Sequence, residues 1–334
     1  MNPGRRPQRP AVPAVRPLLA LAAVLGAALA GCGSERLPRN AAQTGHAPEF
    51  RYAFDAGRAF AYLEKQVSFG PRNPGSEGHR RCLDWLKEEA GKTADRVFTQ
   101  SFTRRYGGRD ITFTNVFAVY PGASGRIVIL CAHWDTRPFA DEETDPARAA
   151  RPIPGANDGA SGVAALLELG HLFRAQRPPV TVVMAFFDGE DFGKDLKDML
   201  LGSSEFARDW RSVLKDVGRD VEYGILLDMV GAKDLRIPRE MNSQEAAPWL
   251  MDAIYRHARE AGLEKFFPDE PGPQIVDDHI PLIRAGIPTV DLISFDYAYG
   301  HTLDDTPDKC SPDSLRAVGE VVARTVYSDV RRPR

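Results

Sequence analysis

No two cysteines in this chain form a CxxC, and that excludes a cysteine-built zinc finger. Basic charge is not in excess either. Lys and Arg total 43 against 46 Asp and Glu, a formal charge of −3, so nothing points to nucleic-acid binding. The apolar run Leu18–Ala30 has 13 residues, short of what a spanning helix needs. No internal repeat is visible. With 43% hydrophobic residues and ordinary aromatic and charged content, wholesale disorder is also excluded.

That short apolar run follows Arg5, Arg6, Arg9 and Arg16, as in a signal peptide, and ends in "LAGC", Leu29 to Cys32. A small residue before a cysteine at this point resembles a bacterial lipobox. Residues 1–31 are then a cleaved lipoprotein signal peptide and Cys32 the lipidated first residue. The implied location is the bacterial cell envelope, periplasm-facing and held to the membrane by the lipid anchor only. Cleavage removes four arginines and no acids, which takes the formal charge from −3 to −7. Residues 32–50, polar and rich in small side chains, read as a tether, and 51–334 as one catalytic domain. Cys82, Cys131 and Cys310 remain, an odd number that allows at most one disulfide.

Helical spacing is expected over 54–66 and 77–92, with a Gly/Pro-rich turn segment, 68–80, leading into the second. Phe98–Phe102 and Ile111–Tyr120 read as strands. Four apolar runs then end in polar residues: "RIVILCAHWD", "VTVVMAFFDGED", "YGILLDMVG" and "GIPTVDLIS". Helical patterns accompany them at Gly159–Arg174, Ser203–Leu214, Ala246–Ala261 and Pro312–Val330. The expected fold is therefore α/β, a single domain with a mixed, mostly parallel central sheet flanked by helices. Ligands of such sheets sit beyond the carboxyl ends of the strands, where the polar residues gather.

Those residues are His133, Asp158, Glu190, Asp191, Asp228, Asp277 to His279, and His301. Each has an ordinary alternative. His133 could be a satisfied structural histidine, Asp158 a cap for the helix from Gly159, and Asp277–His279 a helix start. Glu190-Asp191 is harder to dismiss, because adjacent buried acids repel. No Lys or Arg lies within "FFDGED" or "LLDMVG" to offset them. A divalent metal would, and two histidines with several carboxylates suit zinc.

The ordered blocks "AHWD", "GANDGASG", "FFDGED", "GSSEF", "LLDMVG", "DDHIPLIRAGIP" and "HTLDDT" resemble the M28 family of zinc aminopeptidases and glutaminyl cyclases over roughly 60–330. The resemblance implies a zinc aminopeptidase-like α/β/α sandwich acting on peptide or protein N-termini. It assigns Asp158, Asp191 and His301 to zinc and Glu190 to proton transfer. On the cyclase branch one zinc suffices, and Asp228 and Asp277 form a hydrogen-bonded carboxylate network with Glu190. On the aminopeptidase branch His133 and Asp228 hold a second zinc. A catalytically silent binding domain is the third alternative. The wording of the blocks and Asp277 favour the glutaminyl-peptide cyclotransferase branch. Related cyclases carry a Trp before the last His, where this chain has Gly300. Tyr297, Tyr299 or Phe192 could fill that space, and Tyr299, Phe192 and His279 are the expected substrate contacts. The charged loop 137–152 joins two site residues and is a candidate rim or lid.

Overall fold

A computed structural model describes residues 54–328 and 330–333. The expected signal peptide 1–31, Cys32 and the expected tether 32–50 lie outside these residues. Ten α-helices and six strands follow in the described chain. The first two helices begin at side-chain caps. Asp55 accepts the backbone N–H of Arg58 ahead of α1, Ala56–Val67, and Ser76 accepts that of His79 ahead of α2, Glu77–Gly91. Each cap satisfies a donor the helix leaves unpaired, worth about 1 kcal/mol.

Strands β1, Arg96–Tyr106, and β2, Arg109–Tyr120, form one long antiparallel hairpin. The β1 residues lie mostly at the surface, so alternation marks only part of the strand and the sequence pattern stops at Phe102. Strands β3, Arg126–His133, β4, Thr181–Phe187, β5, Asp220–Asp228, and β6, Thr289–Ile293, complete a six-stranded sheet in the order β1-β2-β4-β3-β5-β6. β3, β4, β5 and β6 run parallel, and the hairpin joins antiparallel through β2 and β4. From β3 the chain crosses first to β4 on one side and then to β5 on the other. That reversal opens a crevice at the carboxyl end of β3.

Both sheet faces are covered, which is why these strands read as continuous apolar runs. On one face α4, Ala160–Ala175, packs with α8, Pro248–Glu260, and α10, Pro312–Tyr327, over residues such as Val128, Leu130, Val182 and Ile225. Gly162 lets α4 settle on β5, since a Cβ there would stand 2.1 Å from the Leu227 carbonyl oxygen. On the other face α5, Leu201–Arg208, α6, Trp210–Val213, and α9, His279–Arg284, cover Ile129, Cys131, Val183 and Phe187.

The expected helix 203–214 is two helices broken at Asp209. That over 246–261 starts at Pro248, after a separate α7, Met241–Ala246. The short helix α3, Pro146–Ala149, lies within the loop 137–152. Cys82, Cys131 and Cys310 are all buried and free.

Candidate metal centre

Three acids follow β4, and the structure sends them to different places. Asp188 turns away and pairs with His79 Nε2 at 2.9 Å while accepting the Thr114 N–H at 2.6 Å. Gly189, at φ +77°, makes the turn, and a Cβ there would strike Phe113 at 2.6 Å. Glu190 and Asp191 then face the crevice, with their backbone N–H groups donating to the two oxygens of Asp135 at 3.1 and 3.3 Å. Asp135 is wholly buried and fixes the direction of both acids.

His133, at the end of β3, stands among carboxylates. Its Nε2 is 3.1 Å from Asp228 and 3.2 Å from Asp158, and its Nδ1 is 3.5 Å from Asp135 and 3.9 Å from Glu190. It thus lies between Glu190 and Asp228. Burial alone would lower its pKa, but Asp135, Asp158 and Asp228 outweigh that and hold it well above the ordinary value. Asp158 does not cap α4. The cap position is Gly159, at φ +94°, and the Asp158 carboxylate faces His133 on one side and His301 on the other.

His301 Nε2 lies 3.6 Å from both Asp158 Oδ2 and Asp191 Oδ2. Two three-residue groups therefore share Asp158: Asp158, Asp191 and His301, and His133, Asp158 and Asp228. In each, one ligand atom per residue lies within 4.8 Å of the others. The donor set fits zinc. The fit is also marked by Asp191 Oδ2, a buried carboxylate oxygen that takes part in no hydrogen bond. Burial first, then Asp191, pushes Glu190 well above the carboxylate range. For Asp191 the order is burial, then Asp158, with Arg137 opposing.

A third group lies deeper. Asp277, His279 and Asp291 also bring ligand atoms within 4.8 Å of one another. Burial, then Asp228, pushes the Asp277 carboxyl up to about 7. His279 is wholly buried, 3.4 Å from Glu240 and 3.6 Å from Asp291, and so it cannot touch a substrate. Phe192 does not reach the cleft either. It packs edge-on against Phe113 and Tyr106 under the hairpin, away from the cleft. Tyr299 is 39% exposed and meets Tyr297 edge-on at 5.6 Å. A cleft of about 400 Å³ opens beside His301, lined by Glu142, Met229, Phe295, Tyr297, Ala298, Gly300 and Thr302. Tyr297 and Phe295 stand on that wall, in a cleft that Gly300 also lines.

Sequence reasoning missed Asp135, Arg137, Asp141, Glu240 and Asp291. The cation that neighbours Asp191 comes from a different loop, with Arg137 Nη1 2.5 Å from Asp191 Oδ1. The block "AHWDTRP" held the signal, since it continues past the strand end in polar residues.

A six-stranded mixed sheet with acid and histidine side chains grouped as candidate metal ligands at its switch point has the arrangement of an α/β metallo-exopeptidase-like enzyme. Peptidase family M28 matches residues 115–326, and the chain belongs to that family. Within it, glutaminyl-peptide cyclotransferase from Bos taurus is 29% identical over 293 residues, covering 75% of this chain and 76% of that protein. Among solved structures, Bacteroides thetaiotaomicron glutaminyl cyclase superposes with a TM-score of 0.79 at 35% identity, covering 83% of this chain and 99% of that one. A Zn-dependent exopeptidase from Parabacteroides distasonis gives 0.79 at 32% identity, covering 83% and 99%.

Proposed function

We propose that this enzyme is a glutaminyl-peptide cyclotransferase, converting an N-terminal glutamine to pyroglutamate with release of ammonia. The observation that carries the reading is the presence of Asp277, a buried acid beside Asp228, at the position where the cyclase branch has an Asp and aminopeptidases usually have a small residue. The bovine and Bacteroides relatives named above support the same choice.

Asp158, Asp191 and His301 would hold the zinc. When bound, zinc supplies a Lewis acid that polarises the side-chain amide of the substrate. Glu190 accepts a proton from the α-amine as its nitrogen bonds to the side-chain carbonyl carbon. It then returns a proton to the amide nitrogen, the C–N bond breaks and ammonia leaves. Asp277, pushed up to about 7 by burial and by Asp228, would keep a proton near Glu190. The open cleft beside His301 would receive the rest of the peptide.

One observation favours a second reading. His133, Asp158 and Asp228 form a further ligand group around the shared Asp158, as a two-metal aminopeptidase would need. There Glu190 would deprotonate water and protonate the departing amine. Incubating the protein with a peptide beginning Gln-Phe separates the two. Loss of 17 Da from an intact chain, the mass of one ammonia (about 17 Da), is cyclisation, and free Gln is hydrolysis.

From the leader residues 1–31 and Cys32 we further propose a periplasm-facing lipoprotein, with residues 32–50 as its tether and 51–334 as its catalytic domain. Cys32→Ala should move the protein from the membrane to the soluble fraction. Retention in the membrane would contradict this.

A further inference from the structure

We infer that Arg137 and Asp141 are positioning residues that hold Asp191 and His301 as ligands, so that the loop 137–152 acts as a brace and not as a lid. The inference rests on the metal assignment above and is independent of which reaction follows.

The path runs through four side chains. Arg137 is 4% exposed, and Nη1 donates to Asp191 Oδ1 at 2.5 Å. Its Nε and Nη2 donate to the two oxygens of Asp141 at 2.8 and 2.7 Å, a forked pair that fixes the plane of both groups. Asp141 Oδ1 then lies 3.6 Å from His301 Nδ1. Each end of this chain of pairs reaches a residue of the same ligand group. Arg137 occupies one oxygen of Asp191, which leaves Oδ2, the atom with no hydrogen bond, facing His301 and Asp158. Asp141 beside Nδ1 favours the tautomer that carries its proton there. Nε2 then keeps its lone pair toward Asp158 and Asp191.

His301 needs such a hold. It is about one-third exposed, and its φ of +51° is a left-handed backbone that a non-glycine residue does not adopt readily. The loop supplies backbone support as well. The Glu142 N–H donates to the His301 carbonyl at 3.3 Å, and Glu143 Oε1 accepts the Leu303 N–H at 3.0 Å. A segment that bonds the ligand loop at two backbone positions and buries an arginine beneath it is not built to swing open.

The test is zinc affinity, read by chelator competition on the full-length protein, with cobalt-substituted spectra as a second readout. Arg137→Ala should weaken zinc about 10- to 100-fold, and Asp141→Asn by about 10-fold. Their double variant should lose little more than Arg137→Ala alone, because both act through one path. Arg137→Lys should fall between wild type and Arg137→Ala. Thr144→Ala, at an exposed position of the same loop, should leave affinity unchanged. Asp141→Asn, close in shape to the original, should shift the cobalt spectrum while the melting temperature of the metal-free protein stays at the wild-type value. It also decides the matter if Arg137→Ala does not fold. Wild-type zinc affinity in Asp141→Asn, or an equal loss in Thr144→Ala, overturns the brace. Failure of the wild type itself to take up zinc would overturn the metal assignment beneath it.

Discussion

In the proposed reaction, Glu190 is the residue on which the chemistry turns. It sits in the crevice, fixed by the grip of Asp135 on its backbone, and its carboxyl is pushed up by burial and by Asp191. Glu190→Gln should lower kcat by about 10²–10⁴-fold and leave zinc content at the wild-type level. Measured zinc loss would instead place Glu190 among the ligands. Glu240 provides a separate test of the buried acids. Four donors, the N–H groups of Asn242, Ser243 and Ile275 and the Ser243 hydroxyl, meet its carboxylate. Burial opposes ionisation, but His279 and these donors lower its pKa from 4.5 to about 2. A depressed carboxyl adds stability above its unfolded pKa and loses it as pH falls through the folded one. The stability gap between wild type and Glu240→Gln, measured by urea unfolding, should therefore be full at pH 6 and shrink between pH 4.5 and 2. A gap independent of pH would contradict the assignment.

At the scale of elements, periodicity located most of the fold. Helices α1, α2 and α4 lie within a residue or two of their apolar spacing and α10 ends three residues short of it, while β3, β4 and β6 lie inside the apolar runs and β5 starts three residues ahead of its run. The reason is that each has one buried face or two, so burial is written locally. Breaks at Asp209 and Ala247 were not legible, because apolar spacing continues across both. The short helices α3 and α9 carry too few turns to show a period. Close packing is equally hidden in a linear reading. Gly162 looks like any helix glycine until Leu227 is set against it. Gly162→Ala should destabilise the protein by about 1–3 kcal/mol through overpacking, in unfolding measurements. A neutral result would mean that α4 can shift off β5 at little cost.

Across the whole molecule, the site residues at strand ends were legible and their partners were not. His133, Asp158, Glu190, Asp191, Asp228 and His301 stand out because polar groups after apolar runs need a reason. Asp135 and Arg137 meet acids 54 to 56 positions away, and no local window joins them. The resemblance puts His279 and Phe192 at the substrate, yet helix and turn geometry send both inward. Metal removal acts on the molecule as a unit. Dialysis against a chelator should abolish turnover and lower the melting temperature, and zinc should restore both. Turnover that survives verified zinc removal would contradict the metal centre.

The most direct measurement is mass spectrometry of a Gln-Phe peptide after incubation with the zinc-loaded, full-length protein. The account predicts an intact peptide that has lost one ammonia, with formation abolished in Glu190→Gln. Free glutamine in its place would contradict the cyclase and establish the aminopeptidase. A peptide left unchanged, with other N-terminal residues also untouched, would contradict both and leave a binding domain.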